Sequence, residues 1–389
     1  MKIAPRSSGE RVGKRLIVTA IGVVGGVYLA LPAALAARSL ACPRNVRSGS
    51  ARPRSVTVLI VAHDEADVIS SKLDDVARLA CSHPMQVIVA SDGSNDGTVE
   101  LARSHPSKPT VIDLPRRGKA AALNAGVALA GGDVIVFTDA NSRFDSESLE
   151  HLLAPFSDPH VGGVAGDQRY DYRAAGTATG ERDYWSYERL LKRWESASGN
   201  VVSSTGTLHA VRRELVDDVP DDVTDDFYIS TGVIVRGRRL VFAAGAVAWE
   251  QPSAEPAAGY RRRVRIITRG LTGVSRRRVL LDPRRYGTYA VVLAVHKVAR
   301  RLLFVPMVFA MAGGCLIRGQ RGAWRMLAAG QLAFYASAAI GVVAARHRVG
   351  RMRAFALPAH FCIANAAAAH DVFNVVSGKR IVTWEPERS

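Results

Sequence analysis

Carboxylates, amides and one lysine recur at short spacing in the middle of this chain, each at the edge of an apolar run. Asp92-Gly-Ser-Asn-Asp-Gly-Thr98 puts carboxylates and two glycines in a turn that leads into a helical pattern. Such a loop can approach a ligand closely, with Asp92 accepting hydrogen bonds from a base or ribose. The same residues also suit an ordinary turn with Thr98 as a helix cap. Gly118-Lys-Ala-Ala-Ala-Leu-Asn124 opens a helix with Lys119 in its first turn, where outward-pointing amides favour a phosphate or a nucleobase carbonyl. Read alone, Lys119 also fits the surface of an amphipathic helix. Phe137-Thr-Asp-Ala-Asn141 sets Asp139 and Asn141 two residues apart after an apolar strand, and strand alternation directs both to one side. Oxygen ligands of this kind hold a hard divalent cation together with substrate phosphates, and a metal so held stabilises a departing diphosphate. Thr224-Asp-Asp-Phe227 supplies paired carboxylates, Asp225 and Asp226, for removing a proton from an attacking hydroxyl. An acidic surface turn is the alternative there, because Asp217, Asp218, Asp221 and Asp222 lie close in sequence. Tyr260-Arg-Arg-Arg-Val-Arg-Ile266 concentrates guanidinium groups, which bind a diphosphate bidentately or lie on anionic headgroups.

Strands must end where these clusters begin. Val56–Ala62, Gln86–Ala90, Thr110–Asp113 and Val134–Phe137 read as short, buried strands. Helical patterns at 65–79, 98–103, 119–130 and 146–156 alternate with them. That alternation predicts an α/β fold with a mainly parallel, right-handed sheet. Ligands bind such sheets beyond the carboxyl ends of the strands, which is where the polar clusters fall. No P-loop occurs, and no GxGxxG turn follows the first strand, which argues against P-loop and dinucleotide-binding folds.

The 389 residues carry 52 Lys and Arg against 35 Asp and Glu, a net charge of +17 that invites a nucleic-acid reading. Its distribution argues otherwise. Residues 1–54 hold +9, 260–285 another +9 and 286–389 +10, leaving −11 on 55–259. A nucleic-acid-binding domain would be basic where this one is acidic. Four cysteines without a CxxC pair indicate neither a zinc ribbon nor a disulfide scaffold.

The basic flanks also hold the apolar runs, at 16–37, 302–317, 326–345 and 354–376, bracketed by arginines. Runs of this length cross a hydrocarbon core of about 30 Å, with arginines anchoring their ends in the headgroups. The first exceeds the roughly 7–15 apolar residues of a secretory signal and reads as an uncleaved anchor. The expected organisation is a basic tail at 1–15, a span at 16–37, a catalytic domain at 55–259, Arg-rich interfacial helices at 260–301, the three later spans, and a tail at 377–389. The expectation is a multi-pass protein of the cell membrane in contact with its lipids, its acidic domain cytoplasmic.

In this order, VTVLIVAHDE, SDGSNDGT, GKAAALN, FTDAN, Ser204-Thr-Gly-Thr207, TDD and the Arg-rich helix span Ser55 to about Arg278. The set resembles the inverting family 2 glycosyltransferases of GT-A fold, in the membrane-integrated branch with hyaluronan, chitin and cellulose synthases. The resemblance implies a nucleotide-diphospho-sugar donor, UDP-linked, and a lipid-linked or glycan acceptor, with Mg²⁺ or Mn²⁺ as cofactor. It implies that His63, Glu65, Asp92 and Lys119 face the nucleotide, and that Asp139 and Asn141 hold the metal and diphosphate. Asp226, beside Asp225, becomes the general base; Thr205 and Gly206 face the acceptor; Arg263 and Arg265 contact the diphosphate. Two motifs depart from the family pattern, the second of them also carrying Arg262 in place of its Gln. Asn141 replaces the second carboxylate of a DxD pair, and Ile266 replaces the aromatic residue of the QRxRW element, which supports the acceptor in processive synthases. A single-addition enzyme is therefore expected, with a processive polysaccharide synthase as the first alternative and a non-catalytic membrane scaffold as the second.

Overall fold

A computed structural model of the chain describes residues 8–47, 49, 53–79, 81–171, 179–251, 256–317 and 322–377. Eight strands are described: β1 (Val56–Ala62), β2 (Met85–Asp92), β3 (Thr110–Leu114), β4 (Val134–Asp139), β5 (Arg143–Phe144), β6 (Val161–Tyr170), β7 (Leu208–Arg212) and β8 (Arg239–Glu250). They make one sheet in the order β3-β2-β1-β4-β7-β6-β8-β5. All seven residues of β1 are buried, because helices cover both of its faces. Val58 and Ile60 pack with Ile69 and Leu73 of the helix Ala66–Ala77. Leu59 and Val61 pack with Ala120 and Leu123 of the helix Lys119–Leu129 on the other face. A strand buried on both sides has no polar alternation, which accounts for the continuous apolar run.

The chain moves outward from β1 to β2 to β3, then returns to add β4 on the opposite edge of β1, all parallel. The order therefore reverses between β1 and β4, and the crevice at such a switch point is where open α/β sheets bind ligands. Past β4 the sheet is mixed. β7 runs antiparallel to β4 and β6, while β8 is parallel to β6 and antiparallel to β5. The expectation of a mainly parallel sheet holds for the first half and gives way in the second.

The helices of the basic flanks form near the expected positions with altered lengths. Ser8–Gly25 continues through a π-helical turn at Gly26–Ala30 into Leu31–Ala41, so this helix begins well before residue 16. Ser8–Ala41 and Ala323–Val343 are long and apolar enough to cross a membrane by length and composition. Phe304–Leu316, at 13 residues, reaches about 20 Å and falls short of a full crossing. Arg353–Val376 is long but carries Pro358 in its interior. Ser8–Gly25 lies directly on Phe304–Leu316: a Cβ on Gly313 would stand 2.7 Å from the Gly13 carbonyl oxygen, so only glycine permits this approach.

Candidate active site

The loops after β1 and β2 are laced to each other. Asp64, at φ +51°, accepts from the Asn95 amide at 2.8 Å, and its own amide donates to Ser94 Oγ at 3.1 Å. The Glu65 amide donates to Thr98 Oγ1 at 2.8 Å and the Ala66 amide to Asp96 Oδ2 at 3.0 Å. Asp96 and Thr98 thus organise the turn, and His63 is buried at the end of β1 beneath it. Burial and then the Asp139 and Asp96 charges push the Glu65 carboxyl up to about 7.

Asp92 differs from the expectation of a carboxylate open to a base or ribose. It is 1% exposed, and its oxygens accept from the amides of Arg117 at 2.7 Å and Gly118 at 2.8 Å. Gly93 lets this loop close: at φ +64°, any Cβ there would come within 2.6 Å of the Arg116 amide nitrogen. The observed work of Asp92 is to fix the loop that carries Lys119.

Lys119 joins two motifs that lie far apart in sequence. Its Nζ is 2.8 Å from Asp139 Oδ1 at the end of β4 and 3.0 Å from Asp225 Oδ2. Burial opposes its charge, but the two carboxylates outweigh that penalty and hold the ammonium well above the usual lysine range. Asp225 and Asp226 occupy the first turn of the helix Asp225–Val235, where the dipole favours negative charge. The pair then splits. Burial works against ionised Asp225, yet Lys119 keeps its carboxyl low, whereas burial and the Asp225 charge push that of Asp226 up. Two adjacent carboxylates with diverging acidities are the arrangement that acid–base chemistry uses. Ser204 Oγ and Ser230 Oγ donate to the Asp226 carbonyl at 3.0 and 2.6 Å, which fixes the turn.

Thr205 and Gly206 lie against the same carboxylates. A Cβ on Gly206 would be 3.4 Å from Asp139 Oδ2, and Thr205 Oγ1 is buried with no hydrogen-bond partner among the described residues. Asn141 departs from its expected placement. β4 ends at Asp139 and turns, so strand alternation does not extend to Asn141, which is exposed. Arg265 is half-buried on the helix Pro256–Arg276, and the side chain of Arg263 lies outside the described residues. Other arginines of this region have partners within the protein. Arg276 pairs with Asp222 at 2.6 Å and Arg277 with Asp217 at 2.6 Å. Arg269 donates to the carbonyls of Val223 and Asp221, both at 2.9 Å, immediately before the paired carboxylates. The acidic turn is thus the counterpart of the Arg-rich helix.

Three site residues escape the sequence patterns. Lys72, 1% exposed, donates to Thr138 Oγ1, Ser142 O and Ser142 Oγ at 2.8–2.9 Å, with its Nζ 3.6 Å from the Phe144 ring centroid. It anchors both ends of the turn that contains Asp139 and Asn141, and burial pushes its amine down to about 7. His209 stacks on Phe137 at 4.9 Å, its Nδ1 lies 3.1 Å from the Thr205 carbonyl, and burial pushes it down to about 4, so the imidazole is neutral. Arg269 is the third.

Among the described residues, no group of three His, Cys, Asp or Glu could enclose a metal by itself. The oxygen donors around Asp139 suit a hard cation that shares its coordination with a ligand's phosphates.

Residues 57–219 match the family model described as glycosyl transferase family 2. The poly-β-1,6-N-acetyl-D-glucosamine synthase of Staphylococcus aureus is 29% identical over 205 residues, covering 50% of this chain and 49% of its own. That of Staphylococcus epidermidis is 23% identical over 215 residues, covering 52% of each. The chain therefore spans about half the length of these curated relatives. A mannosyltransferase of Pyrobaculum calidifontis, solved with GDP-Man and Mn²⁺, superposes over 93% of this chain and 99% of its own, with a TM-score of 0.68 and 24% identity. That likeness concerns the fold.

Proposed function

We propose that this chain is a family 2 glycosyltransferase of GT-A fold that performs inverting transfer of a hexosyl or N-acetylhexosaminyl group, a reading supported by the match of residues 57–219 to that family's model. The donor is a nucleotide-diphospho-sugar, UDP-linked, and the acceptor is a hydroxyl of a lipid-linked or glycan molecule at the cytoplasmic face of the cell membrane. The observation that supports this reading most is Lys119 placed between Asp139 and Asp225, with Asp226 adjacent and less acidic.

In this reading Asp226 takes the acceptor's proton as the hydroxyl attacks the anomeric carbon. Its raised pKa makes it a better base than an ordinary carboxylate. Asp225 remains ionised against Lys119 and keeps the two acids from sharing that role. Lys119, through Asp139, fixes the carboxylate that would hold Mg²⁺ or Mn²⁺, with Asn141 as a second oxygen donor. A cation bound there supplies charge to the departing diphosphate. Arg263 and Arg265 add guanidinium contacts to that diphosphate. His63 and Glu65 border the nucleotide, Asp92 acts through the loop it fixes, and Thr205 and Gly206 border the acceptor.

Incubating the full chain with a panel of nucleotide sugars and Mn²⁺ tests the reading through released nucleotide. We expect metal-dependent release from one UDP-sugar. Release from none, in the presence of glycolipid acceptors, would count against transferase activity. A processive synthase is the second reading, favoured by the named activity of the Staphylococcus relatives. Ile266, 42% exposed where processive enzymes of the resembled branch carry an aromatic residue, supports single addition. Product length on purified enzyme separates the two.

A further inference from the structure

Away from the carboxylates, a cavity of about 340 Å³ opens where the N-terminal helix ends. Its lining includes Leu35 and Arg38 of Leu31–Ala41, Arg44, Glu195, Tyr286 and Tyr289. Arg38 Nε donates to the Ser198 carbonyl at 3.4 Å, and among the described residues neither Arg38 nor Arg44 has a carboxylate within ion-pair distance. Glu195 does not neutralise them. One of its oxygens is 2.8 Å from His296 Nδ1 and the other accepts from the Val202 amide at 3.1 Å. The Tyr286 hydroxyl is buried and has no hydrogen-bond partner among the described residues. Among the described residues the cavity thus combines two guanidinium groups without a carboxylate partner, a hydroxyl without a hydrogen-bond partner and an apolar wall of Leu35, Tyr289 and Val292.

We propose that this cavity binds the phosphate headgroup of a membrane lipid, an inference that rests on the membrane reading of Ser8–Ala41. Arg38 lies in the last turn of that helix, the level at which a spanning helix meets headgroups. Basic pockets beside membrane helices recognise anionic lipid in this way. A free phosphate would use the arginines and leave the apolar wall in water; a lipid uses both, its phosphate on Arg38 and Arg44 and its glycerol and first methylenes against Leu35 and Tyr289. Occupancy also bears on the transfer site. Tyr289 Oη donates to the Val202 carbonyl at 2.9 Å, and two residues later Ser204 holds the carbonyl of Asp226. The lipid would buttress the segment that carries the base.

The test uses the full chain, purified in detergent and reconstituted in vesicles. Native mass spectrometry compares retention of phosphatidylglycerol and phosphatidylcholine, and co-flotation with vesicles reports membrane association separately. Wild type should retain phosphatidylglycerol selectively. The double variant Arg38→Gln with Arg44→Gln should lose about tenfold or more of that retention, since each basic residue near a lipid surface contributes about 1 kcal/mol. Tyr286→Phe should lose several-fold, while Arg348→Gln with Arg351→Gln, in the exposed 344–352 turn, should change nothing. All variants should co-float. Equal loss in the control pair, unchanged selectivity in the double variant, or displacement by millimolar inorganic phosphate would each overturn the lipid site while the membrane reading stands. A wild-type chain that does not co-float would sink the membrane reading, and this site with it.

Discussion

The ammonium of Lys119 lies 2.8 Å from the Asp139 carboxylate, an ion pair formed across 20 residues of sequence at the switch point of the sheet. Without it Asp139 and Asp225 would face each other with no charge between them. Lys119→Met should therefore lower kcat/KM by about 100-fold, the scale of losing one preorganised charge in an active site. Lys119→Arg should recover part of the loss. Steady-state kinetics on variants shown folded by circular dichroism provide the measurement, and unchanged kcat/KM for the Met variant would remove Lys119 from the mechanism.

Asp226→Asn should reduce turnover by about 10²- to 10⁴-fold while leaving nucleotide affinity near wild type, because general-base catalysis contributes on that scale. The pH dependence has a definite sign. Asp226 must be ionised to accept a proton, and its carboxyl is raised, so the acid limb of kcat should lie above the ordinary carboxylate range. A wild-type profile flat down to the usual aspartate pKa would contradict the base assignment.

Lys72→Met should disturb the turn containing Asp139 and Asn141 more than the fold. It removes three hydrogen bonds to Thr138 and Ser142, and unsatisfied buried groups cost about 1–3 kcal/mol. The expected signature is a several-fold higher Mn²⁺ concentration for half-maximal activity, with a smaller change in donor KM. Equal changes in both would indicate a general structural loss.

A fourth prediction concerns stability. Glu188 pairs with Arg300 at 2.6 Å and with His296 at 3.1 Å. Burial works against its charge, but Arg300 and His296 hold its carboxyl far below the usual range. Its contribution is fully present above the unfolded carboxylate pKa and is lost as pH falls through the folded value. His296 has the opposite sign: burial lowers its pKa, but Glu188 and Glu195 outweigh that and raise it, and its contribution fades as pH rises through that raised value. Glu188→Gln should cost about 3 kcal/mol near pH 6, because it leaves cations buried without their partner. The difference in Tm from wild type should shrink in strong acid and on the alkaline side. A pH-independent difference would show that packing, not charge, is responsible.

The first half of the sheet was legible because β1 to β4 are apolar runs ended by polar clusters, and their observed limits lie within two residues of the sequence reading. β6 was not legible. Its Val161-Gly-Gly-Val-Ala-Gly166 segment weakens any strand signal, and those glycines are needed because Leu215, Leu240 and Leu208 press against them. In the site, Lys119, Asp139, Asp225 and Asp226 stand out by type and spacing. Lys72 and His209 do not, since their roles arise from partners 66 and 72 residues away that only folding supplies. Asn141 was misplaced for a local reason: a two-residue alternation rule was carried past the end of its strand.

The pairing of Asp217 and Asp222 with Arg277 and Arg276 also determines where the molecule can be divided. A fragment ending near residue 255 would take Arg276 from Asp222, leave Asp217 with Arg236 alone, and release the Val223 and Asp221 carbonyls that Arg269 holds. The turn leading into Asp225 and Asp226 would lose its fastening although Lys119, Asp139, Asp225 and Asp226 all remained present. The smallest unit able to hold the Asp225–Asp226 turn in place therefore extends at least through Arg277, and the helix Pro256–Arg276 serves as the closing segment of the α/β domain.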